Sequence, residues 1–282
     1  GSLPFFVPKN QMIMDKKTVL ITGGSSGIGK SIGTYLTQQG FTVYGTTRNP
    51  KNYPDFKDFE LVQLDVKNVE SIQKAVSYVI SKEDRLDVLI NNAGVGITGP
   101  IEETPHEEIL HVFDTNFHGP IHVMKAVLPQ MRKQGGGVII NVTSIAGYMG
   151  LPYRGFYSAT KGALGLITEA LRMETKDFGV TITNVAPGDF ATNIASGRYH
   201  SPVIEGSAYQ EKYSRTLKAI DDDVDSGGDP IQVAEAVHKI INQKKPKVHN
   251  PVGAFLQKFS LKLKKILPDK VYEKLLLNHY KL

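Results

Sequence analysis

The sequence predicts an α/β protein: a doubly wound, mainly parallel sheet of six or seven strands flanked by helices, followed by a helical C-terminal extension. Three observations lead there. Short apolar runs of strand length alternate with helical patterns from residue 18 to residue 242. A glycine-rich turn, Thr22-Gly23-Gly24-Ser25-Ser26-Gly27-Ile28-Gly29, joins the first run to the first helix. Polar residues close one run after another, at the strand ends where folds of this class bind ligands.

Composition sets the bounds. A chain of 282 residues, 40% hydrophobic and 22% charged, is ordinary for one globular α/β domain, and no segment has the apolar length of a membrane span. The absence of cysteine excludes a disulfide framework and a thiolate zinc site, and suits a cytoplasmic enzyme. A net charge of +5, with basic and acidic residues interspersed, points away from nucleic acid. Residues 1–16 read as an N-terminal arm, with Gly1-Ser2 a cloning remnant. Residues 17–253 form the sheet domain, and residues 254–282 are its helical extension.

The first strand, residues 18–21, runs into the glycine turn, and a helical pattern follows over 30–39. Glycines admit close approach to the backbone, and the helix N-terminus offers free N–H groups to a pyrophosphate. The spacing Gly23, Gly27, Gly29 departs from G-x-G-x-x-G. A second strand, residues 41–47, ends at Thr47-Arg48, where an acid that binds ribose hydroxyls is expected for NAD. A guanidinium there suits the 2′-phosphate of NADP, or else is a solvated turn residue. A third strand, residues 60–64, ends at Asp65-Val66. A fourth, residues 87–90, ends at Asn91-Asn92-Ala93-Gly94, whose asparagines either face a ligand or cap a turn.

Thr104-Pro105 is expected to cap the next helix, with Glu107 and Glu108 in its first turn. Gly119-Pro120 should kink it, freeing carbonyls near Asn116 to bind water. His111, His118 and His122 lie on this segment without an H-E-x-x-H pattern, so surface or packing roles are favoured and no metal is expected. Gly135-Gly136-Gly137 end the helix, the fifth strand spans 138–142, and Thr143-Ser144 stand at its carboxyl end.

In a helix that follows, Tyr157 and Lys161 lie four apart and share a face. An ammonium beside a phenol favours the phenolate and makes a general acid and base. Spacing alone decides little, since Tyr53/Lys57 and Tyr78/Lys82 repeat it. A sixth strand, residues 181–185, ends at Ala186-Pro187-Gly188-Asp189. Residues 189–229 read as a mobile loop over a substrate pocket, residues 230–242 as a helix, and residues 247–253 as a poor seventh strand. In the extension, Phe255, Phe259, Leu263, Ile266 and Leu267 keep helical spacing, with Lys258, Lys262 and Lys265 on another face. Packing on the domain is the favoured reading, with weak contact to a membrane surface the alternative.

With the glycine turn, Asn92-Ala93-Gly94, Asn116, Ser144, Tyr157 and Lys161 in this order, the chain resembles the short-chain dehydrogenase/reductase family over roughly residues 17–243. The family's T-G-x-x-x-G-x-G pattern accounts for the glycine spacing. The resemblance implies a Rossmann fold that binds NADP(H) with Gly23, Ser25, Ser26, Gly27, Ile28 and Gly29 at the turn and Arg48 at the basic position. It places Asp65 and Val66 at adenine, Asn92, Ala93 and Gly94 along the cofactor, and Pro187, Gly188, Phe190 and Thr192 near the nicotinamide. Tyr157 would be the acid/base, Lys161 would lower its pKa and bind the nicotinamide ribose, Ser144 would hold the substrate oxygen, and Asn116 a relay water.

The segment 147–152 and the extension are similar to the hydroxysteroid and retinol dehydrogenase-like branch. This implies a hydrophobic steroid-, retinoid- or lipid-like carbonyl or secondary alcohol, with Met149, Leu151, Phe156, Phe190 and Tyr199 in the pocket. A homodimer or homotetramer through the helices of Asn116 and Tyr157 is also implied. The alternatives are a 3-oxoacyl thioester reductase and a non-catalytic NADPH-binding protein.

Overall fold

All four residues of β1 (Thr18–Ile21) are buried, and their side chains alternate between two apolar layers. In the computed structural model, which describes residues 16–190, 197–225 and 227–282, Val19 and Ile21 pack against α1 (Gly27–Gln38) and α7 (Ile231–Ile241). Leu20 faces the other way, toward α2 (Val69–Glu83), α4 (Gly119–Lys133) and α5 (Gly155–Glu174). Burying each such side chain contributes roughly 1.5–3 kcal/mol. The sheet is therefore covered on both faces.

Around β1 stand β2 (Thr42–Thr47), β3 (Glu60–Gln63), β4 (Val88–Asn91), β6 (Gly137–Val142), β7 (Val180–Pro187) and β9 (His249–Val252). They form a seven-stranded parallel sheet in the order β3-β2-β1-β4-β6-β7-β9. The connection direction reverses between β1 and β4, which opens a crevice at their carboxyl ends. The poor seventh strand is real. It is an edge strand, so Pro251, which has no N–H, is tolerated there opposite Ala186.

A second, two-stranded sheet pairs β5 (Ile97–Thr98) with β8 (Tyr199–His200), and α6 (Gln210–Asp225) follows. This corrects the expected loop over 189–229, much of which is ordered. The sequence hides α6 because it is largely polar, with Tyr213 and Thr216 its buried residues among those described. Tyr213 is 1% exposed and donates its hydroxyl to the Ser201 carbonyl at 2.9 Å.

Thr104 also departs from expectation. Pro105 is the N-cap residue of α3 (His106–Phe113), while the Thr104 hydroxyl donates to the Pro100 carbonyl and accepts from Ser201. The expected kink is a π-helical turn, Asp114–His118, between α3 and α4. Pro120 has no N–H for the carbonyl of Asn116, its partner in an α-helix, so the ladder opens there. The extension forms α8 (Phe255–Ile266) and α9 (Asp269–His279).

Candidate active site

The glycine turn is held from beneath by the end of β4. Asn92 donates its side-chain amide to the carbonyls of Thr22 and Gly23, both at 3.0 Å, and the Thr22 hydroxyl accepts the N–H groups of Asn92 and Ala93. The asparagine pair thus divides. Asn91 points into the sheet's cover, donating to Asn141 at 2.9 Å, which in turn donates to Thr168. Gly23 (φ 64°) and Gly27 (φ 53°) take left-handed backbone that favours glycine. A Cβ on Gly29 would collide with the Gly23 carbonyl and the Asn92 amide, so Gly29 serves the turn's packing.

Above this turn runs a cleft of about 330 Å³, lined by Gly23, Ser25, Ser26, Gly27, Ile28, Arg48, Asp65, Val66, Asn92, Ala93 and Gly94. Eleven of the residues expected at the cofactor therefore border one space. Tyr53, Lys67 and His111 line it too, although the sequence did not point to them as cofactor residues. The Lys67 ammonium lies 3.4 Å from His111 Nδ1. A long groove over a helix N-terminus, floored by glycines and with an exposed Arg48 at one end, fits a dinucleotide.

The cleft continues past Ile28, Asn92, Gly94 and Val95 into a smaller cavity of about 70 Å³. Ser144, Tyr157, Lys161, Pro187, Gly188 and Phe190 line it. Thr192 lies outside the described residues. Ser144 caps a 3₁₀ turn, Ile145–Tyr148, accepting from the Ala146 N–H at 3.1 Å, and its hydroxyl donates to the Pro187 carbonyl at 3.4 Å. That turn lies directly on α5. A Cβ on Gly147 would press on the Lys161 backbone, so glycine lets the two segments meet.

Tyr157 and Lys161 share one face of α5, as the spacing predicts, with the Lys161 ammonium 5.9 Å from the Tyr157 ring centre. A second cation, the Arg154 guanidinium, lies 5.6 Å from the same ring and lines the cavity. Arg154 escaped the sequence reading because it precedes the helix, in a turn where Tyr153 takes the left-handed φ of 57°. Asp189 and Arg198 are further lining residues that the sequence did not single out.

Lys161 is only 5% exposed and donates to the Val142 carbonyl at 3.0 Å. Burial pushes its ammonium down to about 8. The unfolded chain then binds more protons than the folded one between that value and the ordinary lysine range, so folding stability rises with pH across this window. Raising the pH from 7 to 10 should stabilise the ligand-free protein by about 2 kcal/mol relative to Lys161→Met. Urea unfolding of both proteins at the two pH values measures this, and parallel curves would remove the buried-ammonium assignment.

Asn116 lines neither space. Its side chain is fully buried, accepting from the Val95 N–H at 2.8 Å and donating to the Val95 carbonyl and to Thr160. Any water it holds must use the main-chain carbonyl released at Pro120. Four of the five expected pocket residues also lie outside this cavity, and Phe190 alone lines it. Met149 and Leu151 pack with Ile145 against Tyr272, Leu261 and Leu267 of the extension, and the Tyr272 hydroxyl donates to Met149 Sδ at 3.0 Å. Phe156 is not among the residues lining the described cavities, and Tyr199 borders a neighbouring one with Gly96 and His111.

Residues 17–202 match the short chain dehydrogenase family. Over 261 residues the chain is 40% identical to a 3-ketodihydrosphingosine reductase of Bacteroides thetaiotaomicron, covering 92% of this chain and 96% of that one. Among solved structures, a short-chain dehydrogenase from Streptomyces avermitilis superposes with a TM-score of 0.80 at 32% identity, covering 94% and 97% of the two chains. ElxO with NADP bound gives 0.68 at 28%, covering 84% and 97%. A 3-ketoacyl-(acyl-carrier-protein) reductase from Brucella melitensis complexed with NADH gives 0.73 at 22%, covering 86% and 99%, a likeness of fold. Together with a glycine-floored cleft that opens onto a tyrosine and a buried lysine, these matches make the chain a member of the short-chain dehydrogenase family, a nicotinamide-dependent oxidoreductase acting on carbonyl or alcohol groups.

Proposed function

We propose that the protein is an NADP(H)-dependent carbonyl reductase whose substrate is a long-chain, lipid-like ketone, with Tyr157 as the proton donor. The observation that carries this reading is the meeting of Ser144, Tyr157 and Lys161 in one small cavity, continuous with a cleft that has Arg48 at its wall. Bound there, the nicotinamide cofactor would supply the hydride. Arg48 would grip the 2′-phosphate, the N–H groups at the start of α1 would face the pyrophosphate, and Gly94 leaves room beside Lys161. The Ser144 hydroxyl turns from the Pro187 carbonyl to the substrate oxygen. As charge builds on that oxygen, the Tyr157 hydroxyl passes its proton to it, and the nearby ammonium of Lys161 stabilises the phenolate left behind. The main-chain carbonyl of Asn116, through water, offers the route by which the proton is replaced.

A cavity of about 70 Å³ accommodates a carbonyl and its immediate substituents. Its wall combines polar Ser144, Arg154, Asp189 and Arg198 with apolar Ile97, Val142 and Phe190, which suits a carbonyl near the polar end of an extended lipid. The 3-ketodihydrosphingosine reductase relative, matched along nearly its whole length, supports the same class. The test is initial-rate oxidation of NADPH and NADH with 3-ketodihydrosphingosine, a steroid ketone and an acetoacetyl thioester. Turnover with NADPH and the long-chain ketone is expected. Activity confined to the thioester would replace the substrate class, and tight NADPH binding without turnover would overturn the enzymatic reading.

A further inference from the structure

Helix α8 carries four lysines, Lys258, Lys262, Lys264 and Lys265, and no acidic residue. Its inner side is accounted for: Leu261, Leu263 and Leu267 pack on Ile145, Met149 and Tyr272, with the Lys264 ammonium 6.0 Å over the Tyr272 ring. The opposite side is not. Phe255, Phe259 and Ile266 recur at i, i+4 and i+11, which puts them in one stripe, and they are 73%, 41% and 77% exposed. Leu256 extends the stripe, and the rings of Phe255 and Phe259 stack at 5.8 Å. Lys258, Lys262 and Lys265 are exposed along its edge. On α9, Val271 and Leu275 are exposed beside Lys270 and Lys274.

We infer that α8 is a membrane-surface anchor, lying in the plane of an anionic bilayer with its apolar stripe in the acyl boundary and its lysines among the headgroups. The pairing of groups selects this partner. A nucleic acid would engage the lysines and leave Phe255 and Ile266 in water. A second copy placed face to face would bring the lysines of two acid-free helices together without counter-charge. An anionic bilayer takes both the hydrocarbon and the charge. The anchor is also joined to the active site, because Gln257 on α8 donates to Asp189 at 2.7 Å and fills the space a Cβ at Gly188 would need. Asp189 and Gly188 line the catalytic cavity, so the anchor would hold its mouth near a lipid surface.

Sedimentation of the full chain with vesicles tests the anchor without reading turnover, so its failure is separate from failure of the proposed activity. Vesicles of phosphatidylcholine with phosphatidylglycerol should carry the protein down, and phosphatidylcholine alone should not. Combining Lys258→Glu, Lys262→Glu and Lys265→Glu should weaken that partition by a hundredfold or more, at roughly fivefold per lysine near the surface. Phe255→Ser with Phe259→Ser should weaken it by about a hundredfold. These side chains are exposed, and unchanged thermal unfolding and NADPH binding would show that the variants fold. The inference is overturned if the wild-type protein stays in solution, if either variant sediments like it, or if the phenylalanine pair instead turns a dimer into a monomer in sedimentation velocity.

Discussion

Tyr157→Phe should reduce turnover by a factor of about 10² to 10⁴ while leaving NADPH affinity within about twofold. The substitution removes one oxygen and its proton. The ring that remains keeps its place on α5 between the Arg154 guanidinium and the Lys161 ammonium, at 5.6 and 5.9 Å from its centre. Lys161 keeps its own bond to the Val142 carbonyl, and Ser144 keeps its cap on the turn above. The cleft that receives the dinucleotide is therefore undisturbed, and the loss should fall on kcat. Fluorescence titration with NADPH gives the affinity, and single-turnover oxidation gives the chemical step. Retained turnover would sink the acid/base assignment. An equal loss in cofactor affinity would show that the phenol serves binding instead.

The parts of this site that were legible in the sequence are those set by local geometry. Tyr157 and Lys161 share a helix face because they are four apart, and Gly119-Pro120 opens the helix at Asn116 because proline lacks a donor. The glycine turn was readable because its conformation excludes other residues. What escaped depends on contacts far apart in the chain. Met149 and Leu151 look like pocket residues beside Ser144, but α8 and α9 come back over them and make them core. Arg154 reaches the cavity through a left-handed Tyr153 that no periodicity announces. The small sheet of β5 and β8 rests on pairs of residues about a hundred positions apart, too short for any propensity to register.

Arg48 was readable for a different reason, an absence: a strand end that normally supplies a carboxylate carries a guanidinium instead. Its place bears directly on cofactor choice. Arg48 is exposed at the wall of the cleft, and its main-chain carbonyl accepts from Gln63 at 3.1 Å, which fixes the loop while leaving the guanidinium to a ligand. Asp65 is the one acid among the residues that line the cleft, and its carboxylate already accepts the Lys67 N–H at 2.9 Å. Among the described residues lining that wall, no second acid draws the Arg48 guanidinium away from a phosphate. Arg48→Asp replaces two charge-assisted donors with a carboxylate that repels the 2′-phosphate and accepts from ribose hydroxyls. NADPH affinity should fall by about 10- to 100-fold, the equivalent of a lost charged hydrogen-bond pair. NADH affinity should hold or rise, so the preference shifts by at least tenfold. Calorimetric titration with each cofactor reads both numbers. An unchanged NADPH-to-NADH ratio would take the phosphate away from Arg48 and leave Lys67, on the same cleft, as the cation to replace next.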